Sequence, residues 1–385
     1  MTGAVTGPTT TRKLAPDLAR GVMLLLIAMA YAGVYAGVGF GEVRPEGLGV
    51  PDTVARFVTV LVLDNRAFPM FAILYGYGLA WMVARQRRAG AAEGEIRRLL
   101  RRRSLLLIAF GAVHALLVFP GEILTSYGLA GLVVGWLLFR PDRTIRKALV
   151  LLALGYVVTV GLAMTGMWAA GPAAQFALPG YSSAADWTTR LAGVIFSPLL
   201  IALAYPLFLL VVLGFAAGRR GLLDDPRAHR PLLRRIAVGG IAVSLLGALP
   251  AALIGAGAVA LGVVPTGLLL ALQVLTGVCG GAGYAAAFAL LALRLEDRPG
   301  PLTRAVAAVG QRSLTFYLFD SVLVALVLHT GLLGLGAHVD SVGALTVALG
   351  VWLLAVALAA WLARTGRPGP ADALMRRLVY RRDAA

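Results

Sequence analysis

Residues 341–363, SVGALTVALGVWLLAVALAAWLA, carry no charged side chain, and Arg364 and Arg367 follow at once. About 20 apolar residues in a helix cross the hydrocarbon core of a bilayer. Nothing in this run could keep a soluble helix in water, so lipid is its expected solvent. Working outward, the same signature recurs along the chain. Ten segments carry it: 18–40, 66–86, 99–119, 122–139, 147–168, 195–217, 236–258, 266–293, 311–333 and 341–363. Gly33, Gly76, Pro198, Pro206 and Pro250 fall inside them. Membrane helices tolerate such residues, because neighbouring helices satisfy the freed backbone groups.

The composition agrees. Of 385 residues, 59% are hydrophobic and only 14% charged, against roughly 25% charged in a soluble domain. The mean hydropathy is +0.84. The net charge of +17 suggests a nucleic-acid binder only until its placement is read. Basic residues crowd the N-terminus, 85–103, 140–147, 219–235, 294–312 and 364–382, which are alternate connections between the ten segments. The other connections hold only Arg44, Arg56, Arg66 and Arg190 of the 35 basic residues. Lys and Arg mark the cytoplasmic side of a membrane protein. The sequence therefore predicts an all-α polytopic bundle of about ten spans with both termini cytoplasmic. Its parts are a tail over 1–17, a transmembrane domain over 18–363 and a basic tail over 364–385. No basic domain or aromatic platform for nucleic acid is present. The expected partners are membrane lipids and a small-molecule or lipid acceptor, and an assembly of identical subunits is allowed.

Cys279 is the only cysteine and sits in an apolar run, so neither a disulfide nor a cysteine metal site is expected. Residues 18–40 are too long for a cleaved signal peptide and read as the first span. Residues 51–63 read as a short amphipathic or re-entrant helix. Residues 169–194, with Trp168, Tyr181 and Trp187 around them, read as an interfacial segment. Phe68-Pro69-Met70-Phe71 has an echo in Tyr205-Pro206-Leu207-Phe208.

Ionisable groups within spans are costly and are functional candidates. Asp320 sits in the middle of the ninth segment, either hydrogen-bonded to a neighbouring helix or lining a polar cavity. His114 lies near the end of the third segment, and Glu122 opens the fourth after Phe119-Pro120-Gly121. A carboxylate beside an imidazole can fix its tautomer and raise its basicity; the plainer reading is a pair that holds the hairpin together. Arg66, after Asp64 and Asn65, is a cation on the side that otherwise lacks them. It either holds an anionic substrate group or pairs with Asp64 or Asp52. The run Arg97, Arg98, Arg101, Arg102 is topological anchoring or a phosphate site for coenzyme A.

Several stretches together resemble one bacterial family. They are Asp17–Gly21 (DLARG), Phe68–Gly78 (FPMFAILYGYG), Gly111–His114 with Gly121–Tyr127 (GEILTSY), Leu213–Leu223, Gly310–Tyr317 (GQRSLTFY) and Gly369–Leu378. The order and spread are those of the YeiB-like membrane proteins (domain of unknown function 418). Glu122 stands where that family usually has Asp. The resemblance further implies a distant relationship to transmembrane acyltransferases of the heparan glucosaminide N-acetyltransferase class. Those take cytosolic acyl-coenzyme A and modify an acceptor on the opposite face. Their essential histidine precedes the FPMF-like stretch, and residues 51–67 contain none.

The expected function is acyl transfer from cytosolic acyl-CoA to an acceptor in an outward cavity of the bacterial inner membrane, without a metal. His114 and Glu122 would be catalytic. Arg66, Asp64, Asn65, Tyr127, Asp320 and Tyr317 would bind substrate, and Arg97, Arg98, Arg101 and Arg102 the donor. The alternative expectation is a transporter or flippase with Asp320 as its coupling site.

Overall fold

A computed structural model describes residues 14–37, 49–171 and 178–380. Readings that fall on the N-terminal tail through Lys13, on Arg44, or on Arg381 and Arg382 lie outside the described residues. Among those residues the chain is helical, with no strand. In chain order the helices are α1 (Leu14–Tyr35), α2 (Val50–Val62), α3 (Ala67–Arg88), α4 (Glu93–Leu117), α5 (Leu124–Val134), α6 (Asp142–Ala170) and α7 (Ala184–Ala204). There follow α8 (Leu207–Arg219), α9 (Arg230–Gly255), α10 (Val263–Leu295), α11 (Pro301–Gln311), α12 (Ser313–Leu328), α13 (Ser341–Arg364) and α14 (Pro370–Val379).

Among the described residues seven helices are long and apolar enough to cross a membrane, or eight if α11 and α12, which meet at 90°, form one broken span. Val50–Arg88 counts there as one element, although a turn over 63–66 separates α2 from α3. Two of the ten segments from the sequence fall outside that set. α4 carries Arg101, Arg102 and Arg103 within the stretch that would have to enter lipid, and α5 is short before it tightens to a 3₁₀ turn over Gly135–Phe139.

One segment is corrected outright: 195–217 is not a single helix. α7 ends at Ala204, Tyr205 turns extended at φ −126° and ψ 144°, and α8 begins after Pro206. Pro206 lacks an N–H and disfavours helical geometry in the residue before it. Pro198 and Pro250 remain inside helices.

α8 runs alongside α3 in close contact. A Cβ on Gly76 would meet the carbonyl of Val211, and one on Gly214 would meet the carbonyl of Ile73. Small residues allow such approach, which membrane helices use for dispersion contacts in place of hydrophobic burial. The two echoing motifs are thereby neighbours, with Phe68 and Tyr205 rings 5.8 Å apart. α10 presses Gly277 and Gly281 against Asn65 and Pro69 in the same way. That contact fixes the 63–66 turn, where Asn65 adopts φ 58°.

The outward face of α6 (Leu151, Leu154, Val158 and Leu162) is exposed and apolar, as a lipid-facing surface must be. The basic connections meet each other. Arg219 pairs with Asp142 at 2.7 Å and donates to the Arg140 carbonyl, Arg227 reaches Asp297 at 3.2 Å, and Arg312 donates to the Arg367 carbonyl at 2.8 Å. We call this the basic end. At the far end Tyr181 donates to the Leu117 carbonyl, Tyr35 to that of Val118, and Asp52 accepts from the Ser341 amide.

Candidate functional site: two cavities and an aromatic partition

A cavity of about 500 Å³ opens among α1, α2, the 63–66 turn, α7, α10 and α13. Its wall is mostly apolar (Met167, Trp168, Leu200, Ile201, Leu261, Leu345), with Arg56, Asp64 and Asn65 to one side. A second cavity, of about 290 Å³, lies toward the basic end. Arg20, Arg103 and Arg376 line it, with Gln311, Asp372 and Tyr380. Its floor is set by α14. The Asp372 carboxylate accepts from the Thr315 amide at 3.0 Å and hydroxyl at 2.7 Å, docking α14 on the start of α12.

The two cavities approach each other across one layer of side chains. Tyr31 lines the larger and Tyr317 the smaller, and their hydroxyls are 2.7 Å apart. Phe68 lines the larger and Tyr127 the smaller, their rings stacked at 6.0 Å. Tyr127 is also stacked on Phe71 at 5.2 Å and on Tyr75 at 5.3 Å. Ile123 and Leu124, adjacent in the chain, face opposite cavities. The Ile123 amide donates to the Tyr317 hydroxyl at 3.4 Å.

The sequence-derived site residues divide over this frame. Asp64 and Asn65 line the larger cavity, and Tyr127 and Tyr317 the smaller. His114 packs behind the partition, its ring 5.4 Å from that of Tyr317. Its Nε2 is 2.8 Å from the Ser321 hydroxyl, and its Nδ1 has no partner. Glu122 does not orient His114. Its carboxylate accepts from the amides of Leu124 at 2.6 Å and Thr125 at 2.8 Å, so it caps α5. Amides at a helix start attract a carboxylate because nothing within the helix satisfies them. Glu122→Ala is therefore expected to lower stability by about 1–2 kcal/mol. The measurement is the thermal midpoint in detergent, and an unchanged midpoint would contradict the capping role.

Arg66 is buried beside the larger cavity rather than on its wall. It donates to the carbonyls of Val60 at 3.3 Å, Ser244 at 2.7 Å and Asp64. These bonds seat the guanidinium on backbone carbonyls, with the Asp64 main chain rather than its carboxylate as the hydrogen-bond partner. Asp320 is buried, neither of its oxygens has a hydrogen-bond partner, and it lines neither cavity.

Arg97, Arg98, Arg101 and Arg102 stay outside the smaller cavity. Arg97 pairs with Glu93 at 2.6 Å and lies over the Phe139 ring at 4.2 Å. Arg103 takes the inward place because it continues the buried face marked by Ile96, Leu100 and Leu107. That spacing of four, three and four residues follows one side of a helix. Arg20, Tyr75 and Arg376 fall inside stretches that carry the family resemblance, whereas Tyr31 has no sequence signal beyond its residue type.

At the far rim, Arg190 holds the 178–181 segment. It donates to the carbonyls of Pro179 at 2.7 Å and Gly180 at 2.9 Å and lies 3.8 Å over the Tyr181 ring. His329 joins the same segment through the Pro179 carbonyl at 3.2 Å, and burial lowers its imidazole below the usual range.

Apolar helices of this length, packed through small residues and enclosing two cavities, define a multi-pass helical membrane protein. Residues 217–382 match the family described as Protein of unknown function (DUF418). The chain is 26% identical to "Uncharacterized protein YeiB" of Escherichia coli (strain K12), over 96% of this chain and 97% of that protein. It is 25% identical to "Uncharacterized protein YxaH" of Bacillus subtilis (strain 168), over 86% of this chain and 83% of that one. Over residues 217–382 the chain thus resembles this family, and along most of its length it is similar to these two proteins.

Proposed function

We propose that this protein is a transmembrane acyltransferase of the bacterial inner membrane, with its basic end in the cytoplasm. The observation that carries the reading is the meeting of two cavities at the Tyr31–Tyr317 hydroxyl pair. Group transfer between compartments needs donor and acceptor to approach from opposite sides and touch at one point. At about 290 Å³ the smaller cavity falls just below the ~300–1,000 Å³ of ordinary small-molecule sites. It therefore takes only the acyl-bearing arm of an acyl-CoA, whose phosphates rest near Arg20, Arg103 and Arg376. These replace Arg97, Arg98, Arg101 and Arg102 as the donor-binding candidates.

In this reading the acceptor's hydroxyl or amine attacks the thioester carbonyl at the partition. The carbon–sulfur bond breaks, the acceptor's proton passes across the Tyr31–Tyr317 hydroxyl pair to the departing thiolate, and the thiol leaves toward the cytoplasm, while His114 packs on the Tyr317 ring and holds it in place. General acid–base groups contribute about 10²–10⁴-fold. Turnover of radiolabelled acetyl-CoA by the purified protein should accordingly fall at least about 10²-fold in Tyr317→Phe. Full turnover in that variant would rule out this route.

A second reading, transport, is favoured by one observation: the buried Asp320 has no partner for either carboxylate oxygen. Such a carboxyl within a membrane bundle suits a proton-coupling site. Proton uptake by sealed vesicles without acyl donor, abolished in Asp320→Asn, would select it.

A further inference from the structure

The larger cavity differs from an aqueous substrate site in where its apolar wall leads. Leu200, Val259 and Leu261 line it and are also among the exposed large hydrophobic side chains. They lie on α7 and on the connection from α9 to α10. Leu200 shares the lipid-facing side of α7 with Phe196 and Leu203. Through Leu200 the cavity reaches the lipid-facing side of α7, where an apolar chain enters it without crossing water, and Val259 and Leu261 border that entrance from the connection beside it. Trp168, Ile201 and Leu345 extend the same apolar wall inward.

The polar groups gather at the other side. Asp64 lines the cavity beside Arg56; the charges of Arg66 and Arg56 act on its carboxylate, while no side-chain hydrogen bond or salt bridge engages it among the described residues. Asn65 stands beside it in the left-handed region at φ 58°. A non-glycine residue held there costs of order 1–3 kcal/mol and persists where the surroundings enforce it. Here Gly277 of α10 and the bonds of Arg66 enforce it, which also aims Asp64 at the cavity. In its ionised form the Asp64 carboxylate only accepts hydrogen bonds, so the complement of that form is a group that donates them.

We infer that the larger cavity binds a membrane amphiphile whose headgroup carries hydroxyl or amine donors. The chain enters past Leu200 and Leu261, and the donors meet Asp64. This deepens the acyl-transfer reading, on which it rests only for calling that ligand the acceptor. A hydroxyl or amine is also the group that an acyl thioester modifies.

The test is photolabelling of the full-length protein in detergent with two diazirine-tailed probes. One is a long-chain monoacylglycerol, the other a long-chain fatty carboxylate. The glycerol probe should label peptides containing Met167–Trp168, Ser197–Ile201 or Val259–Leu261, and the carboxylate at least tenfold less. Leu200→Trp, which fills the entrance, and Asp64→Ala should each cut glycerol labelling about tenfold. Leu154→Trp on the lipid face of α6 should leave it unchanged. If Asp64→Ala does not fold, competition by unlabelled dodecylglycerol in the unmodified protein, together with Leu200→Trp, carries the test. Labelling spread evenly over α6, indifferent to Leu200→Trp, or equally strong with the carboxylate probe, overturns the proposal. No acyl donor is present, so loss of the acyl-transfer reading would leave the labelling intact, and the reverse also holds.

Discussion

Gly214→Leu is expected to eliminate the monodisperse folded protein, whereas Gly155→Leu leaves it unchanged. Both glycines are in apolar helices, so hydropathy does not separate them. At Gly214 an added Cβ would overlap the carbonyl of Ile73 and press on the Tyr77 amide and the Gly76 Cα. These are backbone atoms and cannot rotate away. α3 and α8 would have to part, which disturbs the partition: Phe68 and Phe71 lie on α3, and Tyr205, two residues before α8, packs on Phe68. Overpacking a core costs typically about 1–3 kcal/mol. Contact between two backbones puts this case at or beyond the upper end. Gly155 on α6 has nothing within 4 Å of the added atom, and a leucine there faces lipid. Fluorescence-detected size exclusion after graded heating measures both. Equal midpoints for the two variants would mean that α3 and α8 are not in backbone contact.

How much of this was legible follows from what each feature depends on. The apolar runs and the alternation of arginine-rich connections are local properties, and the structure gathers those connections at one end as Arg219, Arg227 and Arg312 show. The break at Tyr205-Pro206 was also written locally. On its own the proline does not mark a break, because membrane helices tolerate proline, as Pro198 and Pro250 show. What distinguishes Pro206 is that its neighbours finish α7 against the Tyr156 hydroxyl, which donates to the Ala202 carbonyl at 2.8 Å and accepts from the Phe208 amide at 3.2 Å. That tertiary compensation for the lost helical bonds has no sequence signature.

The candidate site was legible as a neighbourhood and illegible as a set of bonds. The sequence brought His114, Glu122, Tyr127 and Tyr317 to attention, and all four lie within or directly around the partition. It paired Glu122 with His114 because carboxylates often orient imidazoles. The competing demand, two unsatisfied amides at the start of α5, becomes visible only once the turn over 119–123 has a shape. Arg103 could have been singled out from its neighbours by helical spacing alone. Arg20 and Arg376 could not, because their approach depends on how α1 and α14 cross.

Arg66 separates the two kinds of evidence most sharply. As a lone cation on the side otherwise poor in arginine, it reads as an anion receptor. In the structure its guanidinium serves three backbone carbonyls on two elements, those of Val60 and Asp64 around the end of α2 and that of Ser244 in α9. The Val60 carbonyl also accepts from the Gln273 side chain at 3.0 Å, so the helix end is tied to both α9 and α10. Water does not reach this site, and a carbonyl left unsatisfied there costs about 1–3 kcal/mol. A lysine ammonium is a compact point charge and cannot reproduce the planar fork that spans these acceptors. Arg66→Lys should therefore cost roughly 3 kcal/mol or more, with Arg66→Met at least as damaging. The same substitutions should release the 63–66 turn, move Asp64 off the cavity wall and lower glycerol-probe labelling in whatever folded fraction remains. An anion receptor behaves oppositely: Arg66→Lys would retain stability and much of the binding, and only the affinity for a phosphate or carboxylate would fall. Thermal midpoints of Arg66→Lys beside those of unmodified protein decide between them, because only the first role makes the fold depend on the geometry of the guanidinium.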